Sequence, residues 1–463
     1  MKQSQGRPWK WYRLAHVCRK WRHVIATSPR RLDLRILCEH GAPIGSILDS
    51  WPTLPLVAKF NTGWNSKHIF ENVMDALHHP DTGWRSKHIP ENIMVALHHP
   101  DRLCEIDLHV TTFMLTSFVK VTQRPSQVLE KIRIIIKDPI IHTGPPILIR
   151  NAFLGGSAPH LREIKLDGIA FPFPSIQQVL LSTRNLVELH LAKIPNDAYF
   201  SPNDLVTSLS TLARLKRLTV DFHSPASSPP PSTICSPSQR TTLPCLTFFK
   251  FHGASGYLEE FVAQIDLPAH CQITIRLFND IFFEIPQFYK LVPRLNVLWL
   301  PAGVIVTHNV HFVSVLIYQG RLGRQSENGI ILETSCRRLD WQLSFVTQIF
   351  GQLSSLLSNV HSLDIQSGDE MPTGEEDVDP TQWLELFRPF TRVTEVYLLA
   401  KHLIPPIMQV LIADTVAGVL PELTSLHLAG YYDLRKDFPS AKDAATQFVA
   451  RRRLFGRTVT LSA

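Results

Sequence analysis

The sequence predicts an α/β solenoid, a curved parallel sheet with helices on its outer side, and three observations carry that prediction. A six-residue pattern with apolar residues at positions one, four and six recurs ten times along the 463 residues, with an eleventh, looser copy. The early copies, headed by Leu103, Leu129, Leu161, Leu186, Leu215 and Leu246, stand 26, 32, 25, 29 and 31 residues apart. That is room for a strand, a turn and a helix in each unit. Several copies follow a proline two residues ahead of the head (Pro159, Pro244, Pro293, Pro421), and proline disfavours helix in the residue before it. A strand that cannot bury its own apolar side must stack on its neighbours, and a chain of such strands is a solenoid.

The elements follow in order. Residues 1–36 hold Leu14, Val17, Cys18, Trp21, Val24 and Ile25 at helical spacing, one apolar stripe ended by Ser28-Pro29. This segment has ten Lys/Arg against one Asp, a net +9, so the rest of the chain carries −2 of the total +7. Residues 37–100 read as a linker or cap. They include a tandem duplication, 62–81 and 82–101, identical at 16 of 20 positions, each copy a short helix ended by His-His-Pro-Asp. The solenoid is expected over 101–435, its later copies headed by Leu295, Val360, Val393, Leu423 and, more loosely, Cys336. Helices are expected over 175–182 and 202–209, the second capped by Asn203 or Asp204. Ser224–Pro244, rich in Ser, Pro and Thr, and the acidic 368–380 read as disordered excursions. Residues 436–463 read as a C-terminal cap.

No phosphate-cradling glycine loop, nucleophile elbow or His-Glu-x-x-His helix occurs. A noncatalytic protein with no cofactor and no metal is the expectation. The seven cysteines are scattered and never form a C-x-x-C pair, which points to a reducing compartment, cytoplasm or nucleus. The most apolar run, Gly303 to Tyr318, is broken by His308, Asn309 and His311, so no membrane span is expected. Charge alone supports only nonspecific phosphate attraction, so a nucleic-acid partner is not expected. The third and fifth residues of each hexamer should face the concave side. Candidate partner-binding residues there are Glu163, Lys165, His190, Arg217, Phe248, Lys250, Trp299, Tyr397 and His427, with the aromatics as anchors.

Residues 101–435 resemble the leucine-rich-repeat family. The family's asparagine after the hexamer is replaced by Ile169, Ile194, His223 and Ala254 in successive units, which predicts an irregular arc. Leu14-Ala-His-Val17-Cys18-Arg19-Lys20-Trp21-Arg22, followed by Ser28-Pro29-Arg30-Arg31-Leu32, resembles the second half of an F-box. It is similar to the F-box-like leucine-rich-repeat proteins of mushroom-forming fungi. Asp379 to Phe390 and Phe448-Val449-Ala450-Arg451 have counterparts in the same family. The resemblance implies a substrate receptor of an SCF-type (cullin–RING) ubiquitin ligase. In that role Leu14, Val17, Cys18 and Trp21 would dock the Skp adaptor, and the repeats would hold a protein substrate. Only Met1 to Pro8 precede Trp9, so the Leu-Pro opening and first helix of the box are expected to be missing. A repeat scaffold without ligase recruitment is the alternative.

Overall fold

The computed structural model describes residues 18–20, 23–24, 35–38, 43–61, 88–112, 115, 123–137, 153–223, 240–278, 285–295, 301–320, 329–368, 372–373, 378–413, 418–428 and 439–462. The chain divides into two compact units, residues 1–223 and 224–463.

Among the described residues of the first unit, seven strands lie side by side in chain order, all parallel. They are β1 (Ile36–Leu37), β2 (Leu56–Asn61), β3 (Leu103–Val110), β4 (Lys131–Ile136), β5 (Glu163–Asp167), β6 (Glu188–Ile194) and β7 (Arg217–Phe222). Five hexamers thus become β3 to β7. Their register puts like on like: Ile106, Ile132, Ile164, Leu189 and Leu218 form one row, and Leu108, Ile134, Leu166, Leu191 and Val220 the next. All ten are 1% exposed or less. Burial of this kind contributes roughly 25 cal/mol per Å², so the rows hold the stack together. Residues between them, such as Lys165 and His190, are only half-buried. One sheet face is therefore covered and the other open, as period two requires.

Among the described residues, four helices connect these strands: α1 (Gly45–Ser50), α2 (His88–Leu97), α3 (Phe173–Ser182) and α4 (Pro202–Leu209). The α4 cap differs from expectation. Ser201, not Asn203 or Asp204, is the cap: its Oγ accepts from the Asp204 backbone N–H at 3.1 Å, while its hydroxyl donates to the Asp204 carboxylate at 2.7 Å. Proline at the first helical position makes this arrangement favourable. The parallel sheet also starts earlier than expected, because β1 and β2 lie at or inside the segment read as linker or cap. In β2, Pro55 and Ala58 stand where the hexamer needs large apolar residues, yet Leu56, Val57 and Ala58 are buried.

The second unit contains β8 (Thr241–Thr242), β9 (Phe248–Gly253), β10 (Ile265–Asp266), β11 (Gln272–Leu277), β12 (Gly303–His308), β13 (Phe312–Tyr318), β14 (Gly329–Ser335), β15 (Ser362–Ser367), β16 (Glu395–Leu398), β17 (Ser425–Leu428) and β18 (Thr460–Ser462). β8 and β10 form a separate two-stranded ladder, so the end of the Ser/Pro-rich excursion is ordered. The main sheet runs β9-β11-β14-β13-β12-β15-β16-β17-β18. Among the described residues its helices are α5 (Ser255–Ala263), α6 (Pro286–Leu295), α7 (Leu339–Gln352), α8 (Ser354–Leu357), α9 (Pro380–Phe387), α10 (Ile404–Ala413) and α11 (Pro439–Leu454).

Here the uniform parallel sheet gives way. After β11 the chain skips two strand positions, lays down β12, turns back through β13 and returns to fill the slot beside β11 with β14. β13 is antiparallel to both neighbours, while β14 and β12 run parallel to β11 and β15. The turn at 309–311 is closed by Asn309 N–H donating to the Phe312 carbonyl at 2.9 Å and His311 N–H to Asn309 Oδ1 at 3.1 Å. Gln342 of α7 pins the insertion. Its Nε2 donates to the carbonyls of Asn309 (2.7 Å) and Cys336 (2.9 Å), and its Oε1 lies 2.9 Å from His308 Nδ1. Both Gln342 and His308 are fully buried.

Two further expectations are corrected, and a third falls mostly outside the described residues. Leu295 closes α6 and the rest of its hexamer, residues 296–300, lies outside the described residues; the strand that pairs in register with Ser362 of β15 begins at Gly303. Cys336 heads no strand: β14 ends at Ser335, and α7 begins at Leu339 with Asp340 in its first turn, where an acidic group favours the positive helix end. The C-terminal cap contributes β18, which extends the parallel sheet beyond β17. Among the described residues no helix is long and apolar enough to cross a membrane.

Candidate functional site

On the open face of the first unit, register builds two charged rows. One runs Glu105, Lys131, Glu163, Glu188, Arg217, and the other Lys59, Asp107, Arg133, Lys165, His190, Thr219. Neighbours of opposite sign meet: Lys59 and Glu105 at 3.0 Å, Arg217 and Glu188 at 3.9 Å, Arg133 and Glu163 in a hydrogen-bonded pair. That hydrogen bond pushes the Arg133 guanidinium above its ordinary range. Glu163 is left only 9% exposed. Lys193, in the left-handed conformation (φ 49°) beside a register shift in β6, reaches Asp167 at 3.1 Å. Each partly exposed pair contributes about 0–1 kcal/mol. A partner landing here would replace these pairs rather than add to them.

The open face of the second unit has another chemistry. One row crosses all nine strands of the main sheet: Lys250, Thr274, Ile331, Leu316, Ile305, Asp364, Tyr397, His427, Ser462. Its centre is three consecutive aliphatic side chains, each half-buried, contributed by the three strands of the antiparallel insertion. Beside them the Tyr397 and His427 rings stack at 4.2 Å and 8°, and the Tyr397 hydroxyl donates to Glu395 at 3.0 Å. Phe312 of β13 lies under the Arg276 guanidinium at 5.6 Å, which is held by Glu333 at 2.8 Å. Gly303 is required at its position, since a Cβ there would overlap the Tyr318 ring on the adjacent strand.

Asp364 sits between Ile305 and Tyr397 in the row and is only 2% exposed. Neither its Oδ1 nor the Ser362 hydroxyl has a well-formed hydrogen bond among the described residues. Burial pushes the Asp364 carboxyl up to about 6, opposed by the Ser362 hydroxyl and assisted by Glu395. The folded chain therefore binds more protons than the unfolded one between the ordinary value of 3.8 and about 6. Stability from this group is lost as pH rises through that window. Asp364→Asn is expected to stabilise the protein at pH 7.5 by on the order of 1 kcal/mol, with the gain vanishing near pH 4. Urea unfolding at both pH values measures it, and a less stable variant at pH 7.5 would contradict the assignment.

The structure brings Phe248, Lys250, Tyr397 and His427 onto the second unit's open face, and Glu163, Lys165, His190 and Arg217 onto the first's. Cys18 is exposed. Leu14, Val17, Trp21 and Trp299 lie outside the described residues. Ile305, Leu316 and Ile331 were not anticipated, although a signal existed, whereas Asp364 is the fifth residue of the Val360 hexamer. Residues 303–308 and 312–318 alternate with period two on either side of a three-residue turn, which is a hairpin pattern. Among the described residues no group of three or more His, Cys, Asp or Glu is placed to hold a metal ion.

Mostly parallel strands in register, joined by helices and covered on one face only, make each unit a solenoid-like α/β architecture. No protein-family model matches the chain, and no curated protein does. Among solved structures, the leucine-rich-repeat-containing protein LegL7 from Legionella pneumophila is 11% identical, over 71% of this chain and 93% of that one, with a TM-score of 0.27. A likeness that slight carries no argument, and the repeat assignment rests on the strand register.

Proposed function

We propose that this chain is a noncatalytic protein-recognition module whose partner docks on the open sheet face of the second unit. The observation that carries the reading is the aligned Ile305–Leu316–Ile331 row. It is an aliphatic strip on a face whose other positions are polar or aromatic, with tyrosine, phenylalanine and arginine at its edges. Such a centre-and-rim composition is what protein interfaces use.

Within that reading we propose that the chain is the substrate receptor of an SCF-type ubiquitin ligase, with Leu14, Val17, Cys18 and Trp21 on the Skp adaptor. The sequence resemblance of residues 9–36 to an F-box half supports this. Co-purification of the full chain with the Skp adaptor and cullin tests it. Retention that is lost on Trp21→Asp is expected. A folded chain that retains no adaptor selects the alternative, a scaffold that binds its partner without recruiting a ligase.

A further inference from the structure

The end of α11 carries a surface patch that recognition through the open sheet face does not use. Among the described residues only one adjacent pair of large apolar side chains stands well exposed, Leu454 and Phe455, at 85% and 57%. Single exposed apolar residues are ordinary, whereas a contiguous pair ringed by polar groups marks a contact surface. Its geometry follows from the helix. Ala445, Phe448 and Arg452 share one face and are buried. Arg452 fixes the helix end: its guanidinium lies 5.2 Å from the Phe448 ring and donates to the carbonyls of Val419 and Leu420, the latter at 3.1 Å. Leu454, two residues on, is turned roughly 200° away from that anchor. Gly456, with φ 74°, closes the helix. Its N–H donates to the Arg453 carbonyl at 3.1 Å, and that of Arg457 to the Arg452 carbonyl at 3.0 Å. The chain then enters the sheet as β18, so the pair is a convex knob held between two fixed elements. Arg451, Arg453 and Arg457 surround it, all exposed and in no ion pair among the described residues. Opposing charge is sparse: Asp443 lies about 16 Å back along the helix, and Glu422 two residues beyond Leu420. Arginines in a last turn favour the negative helix end, which explains the charge but not the exposed apolar pair.

We propose that Leu454 and Phe455, with Arg451, Arg453 and Arg457, dock the protein peripherally on an anionic membrane surface. A second copy of the chain is a poor occupant, because a symmetric contact sets like charges against each other. A pocket on another protein must match the knob in shape. A bilayer asks for no such match: the apolar side chains enter the acyl boundary while the guanidinium groups stay at the lipid phosphates. The test uses the full chain with a dansyl-bearing amino acid at the exposed position 458, beside the patch. The probes are vesicles of phosphatidylcholine alone and vesicles of seven parts phosphatidylcholine to three parts phosphatidylserine. Co-sedimentation and a blue shift of the dansyl emission are expected with the anionic vesicles. Both should be at least tenfold weaker on phosphatidylcholine alone, and should weaken at least tenfold between about 0.05 M and about 0.5 M salt. The double variant Leu454→Ser/Phe455→Ser removes only exposed groups, so it should stay folded and lose the blue shift. Leu181→Ser, at an exposed leucine of α3, should behave as the wild type. Undiminished binding by the double variant would assign the attraction to the basic residues 1–36 and overturn the proposal. Binding indifferent to phosphatidylserine would also overturn it. No blue shift with either vesicle would do the same, leaving the patch to an acidic protein surface.

Discussion

Gln342→Ala is expected to lower the unfolding free energy of the second unit by about 3 kcal/mol, the largest effect of any single polar substitution proposed for this chain. The side chain is fully buried and serves three groups at once, two carbonyls and the His308 ring. Because Nε2 faces carbonyls it must be the donor end, so Oε1 accepts from His308 Nδ1–H. Removing the amide strands those groups, each at a cost of about 1–3 kcal/mol when buried, partly offset by water entering the space. The carbonyls belong to the insertion turn and to the end of β14, so the loss falls on the seam that holds the antiparallel strands. Urea unfolding followed by a probe in the second unit measures the effect, since two compact units need not unfold together. A loss below about 1 kcal/mol would show that the amide is not the pin. The same network sets an acid limit. Burial holds His308 at about 4, against an ordinary 6.5, so the folded state takes up fewer protons than the unfolded one between those values. Stability is intact above pH 6.5 and is lost as pH falls toward 4. His402 acts in the same direction, and Asp364 acts oppositely over a similar range.

Leu316→Lys and Ile331→Lys should each weaken retention of the protein partner at least tenfold, about 1.4 kcal/mol or more. Both residues are half-buried on the open face, so unfolding free energy should change by no more than about 0.5 kcal/mol. A lysine there keeps its stem on the sheet and lifts its charge into solvent in the free protein. Under a docked partner that charge has nowhere to go. Lys165→Ala in the first unit should change retention far less. Quantitative pull-down of the wild type and the three variants separates these outcomes. Equal losses for Lys165→Ala and Leu316→Lys would move the interface away from the insertion.

Where a unit kept large apolar residues at the hexamer's first, fourth and sixth positions, as Leu161, Leu186 and Leu215 do, the strand and its open-face residues were legible in the residues alone. Strands were missed where chemistry at one position broke the pattern. His270 stands where β11 would need its apolar head, although β9 and β11 pair in full register from Phe248 and Gln272. Pro55 and Ala58 hid β2 in the same way. The direction of β13 had no signature in a six-residue window, because alternation is the same in parallel and antiparallel strands. Only the short turn at 309–311 encodes it, since parallel strands cannot be joined so tightly. Glu163 was placed on the correct face, but nothing local reveals that Arg133, 30 residues away in sequence, occupies it.

The most direct test places a photo-crosslinking amino acid at position 316 of the intact chain and, as a control, at the exposed position 352 at the end of α7. A single protein captured from 316 and not from 352, and lost when Ile331→Lys is added, is the expected result. Capture of that protein from 352 but not from 316 would contradict recognition through the open sheet face.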